Sequence, residues 1–371
     1  MAQTRHTMKK IFLSLALLLS FTGAIFAQSS MLATLSHEGE ITVFYGANAL
    51  KEAHAVAQHG DAITLSSGSF NATDITKAIT LRGAGMAIDT LKNTYPTIIN
   101  GDFSIFIGDS VSKQLTVEGI YNNFTITVKN GLNNATFIKN RLKTIQYETA
   151  KGDTKQYKNN RFIHCKIVEH FWGPSYSSSK SMSFSNCYIR SINNNNCNSI
   201  FTNCIIYNDA THHFHSSSYI SNLSESLQYC TFYNCILVGT SISNYSSYNV
   251  LHTTNQAYNC IATHITSSNY ETNNNYYIFK NIPNQTNSCI QGITSVFKSF
   301  NLTYKDDETF ELVDNIKTKY TGTDGTEIGI HGGSLPFSPT PTNPQITKCN
   351  VASRSTADGK LSVDIEVKAG E

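Results

Sequence analysis

The stretch FSNCYIRSINNNNCNSIFTNCIIYN, residues 184–208, states one pattern twice. Phe184-Ser185-Asn186-Cys187-Tyr188-Ile189 returns as Phe201-Thr202-Asn203-Cys204-Ile205-Ile206. Outward from this pair, the same core recurs as FIHCKI around Cys165, FYNCIL around Cys235 and AYNCIA around Cys260. An earlier copy, FIKNRL at Phe137–Leu142, carries Asn140 where the cysteine would stand. The spacing is uneven: 17 residues separate Cys187 from Cys204, and 31 separate Cys204 from Cys235. Helical repeats hold their length because whole helices must stack. A short constant core followed by a loop of any length describes one rung of a parallel β-solenoid. Each coil then adds about 4.8 Å, the ordinary strand separation, and like residues lie above like.

Strand alternation assigns the faces. Cys187 and Ile189 share one parity, while Phe184, Asn186 and Tyr188 share the other. This reading predicts an inward stack of Cys165, Cys187, Cys204, Cys235 and Cys260 as small apolar groups. It predicts a ladder of Asn186, Asn203, Asn234 and Asn259 at a turn. There each amide would bond the next, and asparagine tolerates left-handed backbone. Nine cysteines in an exported chain would ordinarily point to disulfides. Bridges between adjacent rungs would strain an in-register ladder, and no paired CxxC spacing suits zinc. Cys197, Cys230, Cys289 and Cys349 fall outside the pattern, and their pairing stays open.

The 371-residue chain has a net charge of +2 and only 15% charged residues. That gives no broad electrostatic case for nucleic acid or an anionic membrane. Lys9-Lys10, the apolar run Ile11–Phe21 and the small residues before Ala27 read as a signal peptide over residues 1–27. The run is too short to span a bilayer comfortably. The expected product is exported, in the periplasm, at the cell surface or secreted, with no membrane span in the mature chain.

These features resemble the right-handed parallel β-helix, or pectin-lyase-like, proteins. The likeness covers roughly residues 40–333. ANALKEAHAVAQHGDAITL looks like the N-terminal start of such a domain, with a short helix near 47–58 capping the core through Leu50, Ala53 and Ala57. The strand Ala62–Leu65 follows, and Gly83 and Gly85 mark the next turn. GTDGTEIGIHGGSLPFSPTPTNPQI resembles the terminator of exported β-helix proteins of Bacteroidetes. The expected architecture is all-β: a solenoid over 28–333, a Pro-rich linker over 334–345 and a strand tail over 346–371 that turns at Asp358-Gly359.

The fold hosts many functions, so the site must decide. The resemblance implies either lyases, with metal-holding carboxylates and an Arg or Lys base, or hydrolases with several Asp on neighbouring rungs. Asn-Thr-Asp, Asp-Asp and Gly-His-Gly hydrolase motifs are not evident in the repeat region, and acids are sparse between Phe162 and Asn281. Paired carboxylates for acid and base work are therefore hard to assemble there. NDATHHFHSSS places Asp209, His213 and His215 on one parity as candidates for metal or proton transfer. HCKIVEHFWGP contributes Lys166 and the single Trp172, an aromatic platform for a sugar ring. Arg190 could meet an acidic sugar, and Tyr176 and Tyr207 extend an aromatic, Asn-rich face. Catalytic candidates are thus Lys166, Arg190, His213 and His215. Substrate-binding candidates are Trp172, Tyr176, Arg190 and Tyr207. Each also has a plain structural reading as a loop anchor or solvated surface group. Three functions compete: a non-catalytic glycan or surface-partner binder, a polysaccharide lyase or glycoside hydrolase, and a structural or adhesive rod. Calcium is implied only by the lyase reading, and the oligomeric state stays open.

Overall fold

The computed structural model describes residues 31–368, apart from 89–94, 150–151, 153, 175–178, 194–197, 209–226, 241–250, 266–278, 280–287, 294, 300–303, 341–344, 352–353 and 357. The described residues are mostly strand, with two helices, α1 (Ala49–Val56) and α2 (Asp314–Lys319). Two long sheets, of 11 and 12 strands, stack rung upon rung. Pairing is parallel from the third strand of the first sheet onward, as in a parallel β-helix. The first sheet opens with an antiparallel hairpin, β1 (Leu32–His37) and β2 (Glu40–Tyr45), which the repeat pattern does not foretell. Helix α1 packs its buried Ala49, Leu50 and Ala53 against the first strands of both sheets.

Six rungs cross from the first sheet to the second through a left-handed residue. Lys139, His164, Asn186, Asn203, Asn234 and Asn259 hold φ between 49° and 54° at this corner. That residue corrects the parity assigned by strict alternation. A left-handed residue bends the chain and resets the phase, so Phe184 points inward although it shares the sequence parity of outward Tyr188. Phe137, Phe162, Phe184, Phe201 and Phe232 are fully buried. Their rings stack face to face at 4.7–5.0 Å, the rung spacing. This column continues in register upward from Leu35, Ile63, Leu81 and Val117.

Behind the corner, the cysteines stack beside the phenylalanines. A bend in the backbone leaves N–H and C=O groups facing the interior, where they need partners. The thiol of Cys187 donates to Phe162 O at 3.4 Å and accepts from Cys165 N at 3.4 Å. Cys235 repeats this with Phe201 O at 3.4 Å and Cys204 N at 3.5 Å. Asn140 does the same with its amide, accepting from Ile120 N at 2.9 Å and donating to Val117 O at 2.8 Å. Asn160 and Asn255 fill the matching role at another bend. Cysteine and asparagine thus alternate as inward corner residues because each can accept and donate. Cys165, Cys187, Cys204, Cys230, Cys235, Cys260 and Cys289 are free thiols, and burial pushes Cys165 and Cys187 well above the ordinary thiol range.

The outward corner residues do not bond one another as a ladder. They bond the C-terminal segment, which runs back along the corner against the direction of coil growth. Asn259 Nδ2 donates to Thr321 O at 3.2 Å, and Asn234 Oδ1 accepts from Thr323 N at 2.9 Å. Asn186 Nδ2 donates to Ile330 O at 2.9 Å and Gly332 O at 2.8 Å. His164 Nε2 meets Leu335 O at 3.0 Å, and Lys139 Nζ donates to Thr340 O at 2.7 Å. A left-handed residue throws its side chain clear of its neighbours above and below, which favours an external partner. Glycine serves the close approach: a Cβ on Gly333, at φ +83°, would collide with the Asn203 amide.

This strap also closes a second apolar cluster on the outside of the second sheet. Tyr188, Ile205, Ile236 and Ile261 form one outward row, covered by Phe297, Phe310, Ile316 of α2, Ile328 and Ile330. Beyond the strap, Gln345–Val351 and Val363–Lys368 pair as an antiparallel hairpin. No helix among the described residues is long and apolar enough to cross a membrane.

Two outcomes test the inner core. Phe184→Ala should lower unfolding free energy by about 3–5 kcal/mol in denaturant titration, because both stacked neighbours lose contact; a loss under about 1 kcal/mol would contradict the ring column. A thiol-reactive chromogenic disulfide should leave Cys165, Cys187, Cys204, Cys235 and Cys260 unmodified in the native chain and titrate them after unfolding. Rapid native labelling at these positions, read by mass spectrometry, would contradict the buried stack.

Candidate functional site

The outward row of the second sheet changes character along the strand stack. In register it reads Ile98, Tyr121, Arg141, Lys166, Tyr188, Ile205, Ile236, Ile261. The C-terminal segment covers the later rungs and stops short of the earlier ones. At that boundary lies a cleft of about 690 Å³. Its floor is Tyr121, Arg141 and Lys166, one wall is the loop Asp306-Asp307-Glu308, and apolar walls come from Met86, Ile98, Phe337 and Pro339.

The floor is tied to the acidic wall. Arg141 Nε donates to Asp306 Oδ1 at 2.9 Å, and Nη1 donates to Asn123 Oδ1 at 2.9 Å. The guanidinium lies over the Tyr121 ring at 4.4 Å, a cation–π contact. The Tyr121 hydroxyl donates to Asp306 Oδ2 at 3.4 Å. Lys166 is buried, and its Nζ donates to the carbonyls of Asp306 at 3.1 Å and Glu308 at 3.2 Å. The ring centroids of Tyr304, Phe310 and Phe337 lie 5.6–5.8 Å from it. Burial pulls the Lys166 ammonium down to about 8, opposed by the nearby charges of Asp306, Glu308 and Asp307. Burial also pushes the Tyr304 hydroxyl upward. His331 closes the rim, its Nε2 donating to Thr309 O at 2.6 Å.

Of the residues singled out in the sequence, Lys166 alone lines this cleft. Arg190 is half-buried beyond the strand Tyr188–Ile189, its N–H on Ile167 O at 2.9 Å, and does not reach the cleft. Trp172 ends the strand that Lys166 begins, about 20 Å away at strand rise. It is half-buried, with its ring 6.0 Å from His170. Tyr207 is buried in the outer cluster and so presents no face to a sugar, because the C-terminal segment covers that row. Tyr176, Asp209, His213 and His215 lie outside the described residues. Among the described residues, no group of three His, Cys, Asp or Glu could hold a metal ion.

The sequence reading missed Tyr121, Arg141 and the 306–308 loop. Two signals were available. FIKNRL carries Arg141 at the outward position of its rung, and YKDDETFEL concentrates acids beyond the repeats. The second cluster also had a signal, since CII and CIL runs are apolar on both faces, as in doubly covered strands.

The chain matches none of the family models, curated proteins or solved structures compared with it.

The lysine generates a pH prediction. Because its folded value is lowered, the folded chain binds fewer protons than the unfolded chain between about 8 and 10.5. Stability contributed by Lys166 therefore rises with pH across that window. Lys166→Met abolishes the rise, so its stability advantage over the native chain should shrink from pH 8 to pH 10.5 in denaturant titrations. A constant difference across the window would mean that the ammonium is solvated.

Proposed function

We propose that this chain is an exported, right-handed parallel β-helix of the pectin-lyase-like type that binds carbohydrate in the cleft over Tyr121, Arg141 and Lys166 without catalysis. One observation carries the reading: a concave site of about 690 Å³ with apolar walls and a few convergent polar groups, the usual make-up of a small-molecule or saccharide site. The Tyr121 ring and Phe337 supply aromatic surface for the apolar faces of pyranose rings. The signal-peptide reading of residues 1–27 supports a setting where polysaccharides are met.

A second reading, a polysaccharide lyase, has one observation in its favour. Lys166, drawn down to about 8, titrates near the range that suits a general base. Its Nζ donates to two backbone carbonyls, however, and such acceptors favour the charged ammonium, which cannot take a proton. The binding reading does not require a neutral lysine.

The test is affinity electrophoresis of the mature chain through gels containing a panel of neutral and acidic polysaccharides, beside an ultraviolet assay for unsaturated product. Retardation by at least one polysaccharide without product is expected. Tyr121→Ala should weaken that retardation roughly three- to tenfold, the worth of one aromatic contact. Unsaturated product that disappears in Lys166→Met would install the lyase reading instead. No retardation and no product would leave a rod whose role is structural.

A further inference from the structure

Given the reading of the cleft as a saccharide site, its charges decide which saccharides enter. Both cations of the lining are already engaged by the protein. Arg141 uses Nε on Asp306 and Nη1 on Asn123, so every pair of its guanidinium nitrogens includes one that is bonded. One face of the group is against Tyr121. The Nε edge is therefore taken, and the Asp306 carboxylate already offsets the charge of the group. Lys166 gives two of its three hydrogens to carbonyls and sits among three aromatic rings. Both cations line the cleft already committed to partners of the protein's own.

The anions are arranged the other way. Asp306, Asp307 and Glu308 line the wall against only those two cations. Asp307 is exposed and makes no hydrogen bond or close ion pair among the described residues. A sugar carboxylate entering the cleft would compete with Asp306 for Arg141. It would also come to rest beside Asp307. Like charges at about 4 Å cost roughly fivefold in affinity even at the dielectric constant of bulk water, and more against apolar walls.

We infer that the cleft admits saccharides without carboxylate or sulfate groups, neutral or amino-bearing, and turns acidic chains away. The apolar walls of Met86, Ile98, Phe337 and Pro339 take the CH faces of the rings, and the free carboxylate of Asp307 accepts from hydroxyl or ammonium groups.

The experiment is calorimetric titration of the mature chain at low ionic strength and neutral pH. The probes are matched oligomers of a neutral β-linked hexose, of glucosamine and of galacturonate. The neutral and amino oligomers should bind, and the galacturonate oligomer should bind at least tenfold more weakly. In Asp307→Asn the gap between neutral and acidic oligomers should narrow about fivefold, the cost of the like-charge contact. Equal or tighter binding of galacturonate by the native chain would overturn the inference while leaving the saccharide site standing. So would a gap that Asp307→Asn leaves unchanged. No binding of any of the three would remove the saccharide reading itself, and the inference with it.

Discussion

Every rung of this protein depends on satisfying the backbone at one bend. A left-handed residue turns the chain from one sheet to the other and leaves an N–H and a C=O pointing into the core. Leaving such groups unpaired costs about 1–3 kcal/mol each, repeated on every coil. The next rung supplies the partner, a thiol at Cys187, Cys204, Cys235 and Cys260 or an amide at Asn140. The stack is thus self-completing: each coil saturates the one before it and is saturated by the one after. Phenylalanine rings fill the remaining space at the same spacing.

The same bend shapes the exterior. Side chains of the left-handed residues stand clear of the wall, and the chain returns from its last coil to bond them in turn. That strap shuts the outer row from Tyr188 onward under a second apolar cluster. The earlier rungs remain open, and the boundary between covered and open wall is the cleft. The site is consequently a product of where a covering segment ends rather than of any motif. Its floor comes from strands near 121, 141 and 166, and its acidic wall from a loop near 307, so no local window contains it.

Buried cations give the cleft its character. Lys166 is kept in place by carbonyls and rings rather than by a carboxylate, and its burial lowers its proton affinity. Arg141 is oriented by Asp306, Asn123 and Tyr121 together. These pairings hold the 306–308 loop against the second sheet, and the Asp306 carboxylate offsets the charge of Arg141 at the cleft floor.

The repeated Phe-x-Asn-Cys core was enough to read stacked parallel strands, their variable loops and the inward cysteines, because strand spacing forces like residues above like. The helix near residue 50 and the C-terminal hairpin were also legible, from local periodicity and turn chemistry. The inward phenylalanines were not, because parity counting assumes an unbroken strand and one residue of positive φ resets the phase. The Asn ladder failed for the same reason: a left-handed corner aims its side chain at whatever lies outside. Only the tertiary structure showed that this was the chain's own C-terminal segment. Of the candidate site, Lys166 alone was picked out from sequence. Its neighbours Tyr121, Arg141 and Asp306 are separated from it by whole coils or, for Asp306, by 140 residues, and contacts set by stacking and by a returning strap leave no periodic trace in the sequence.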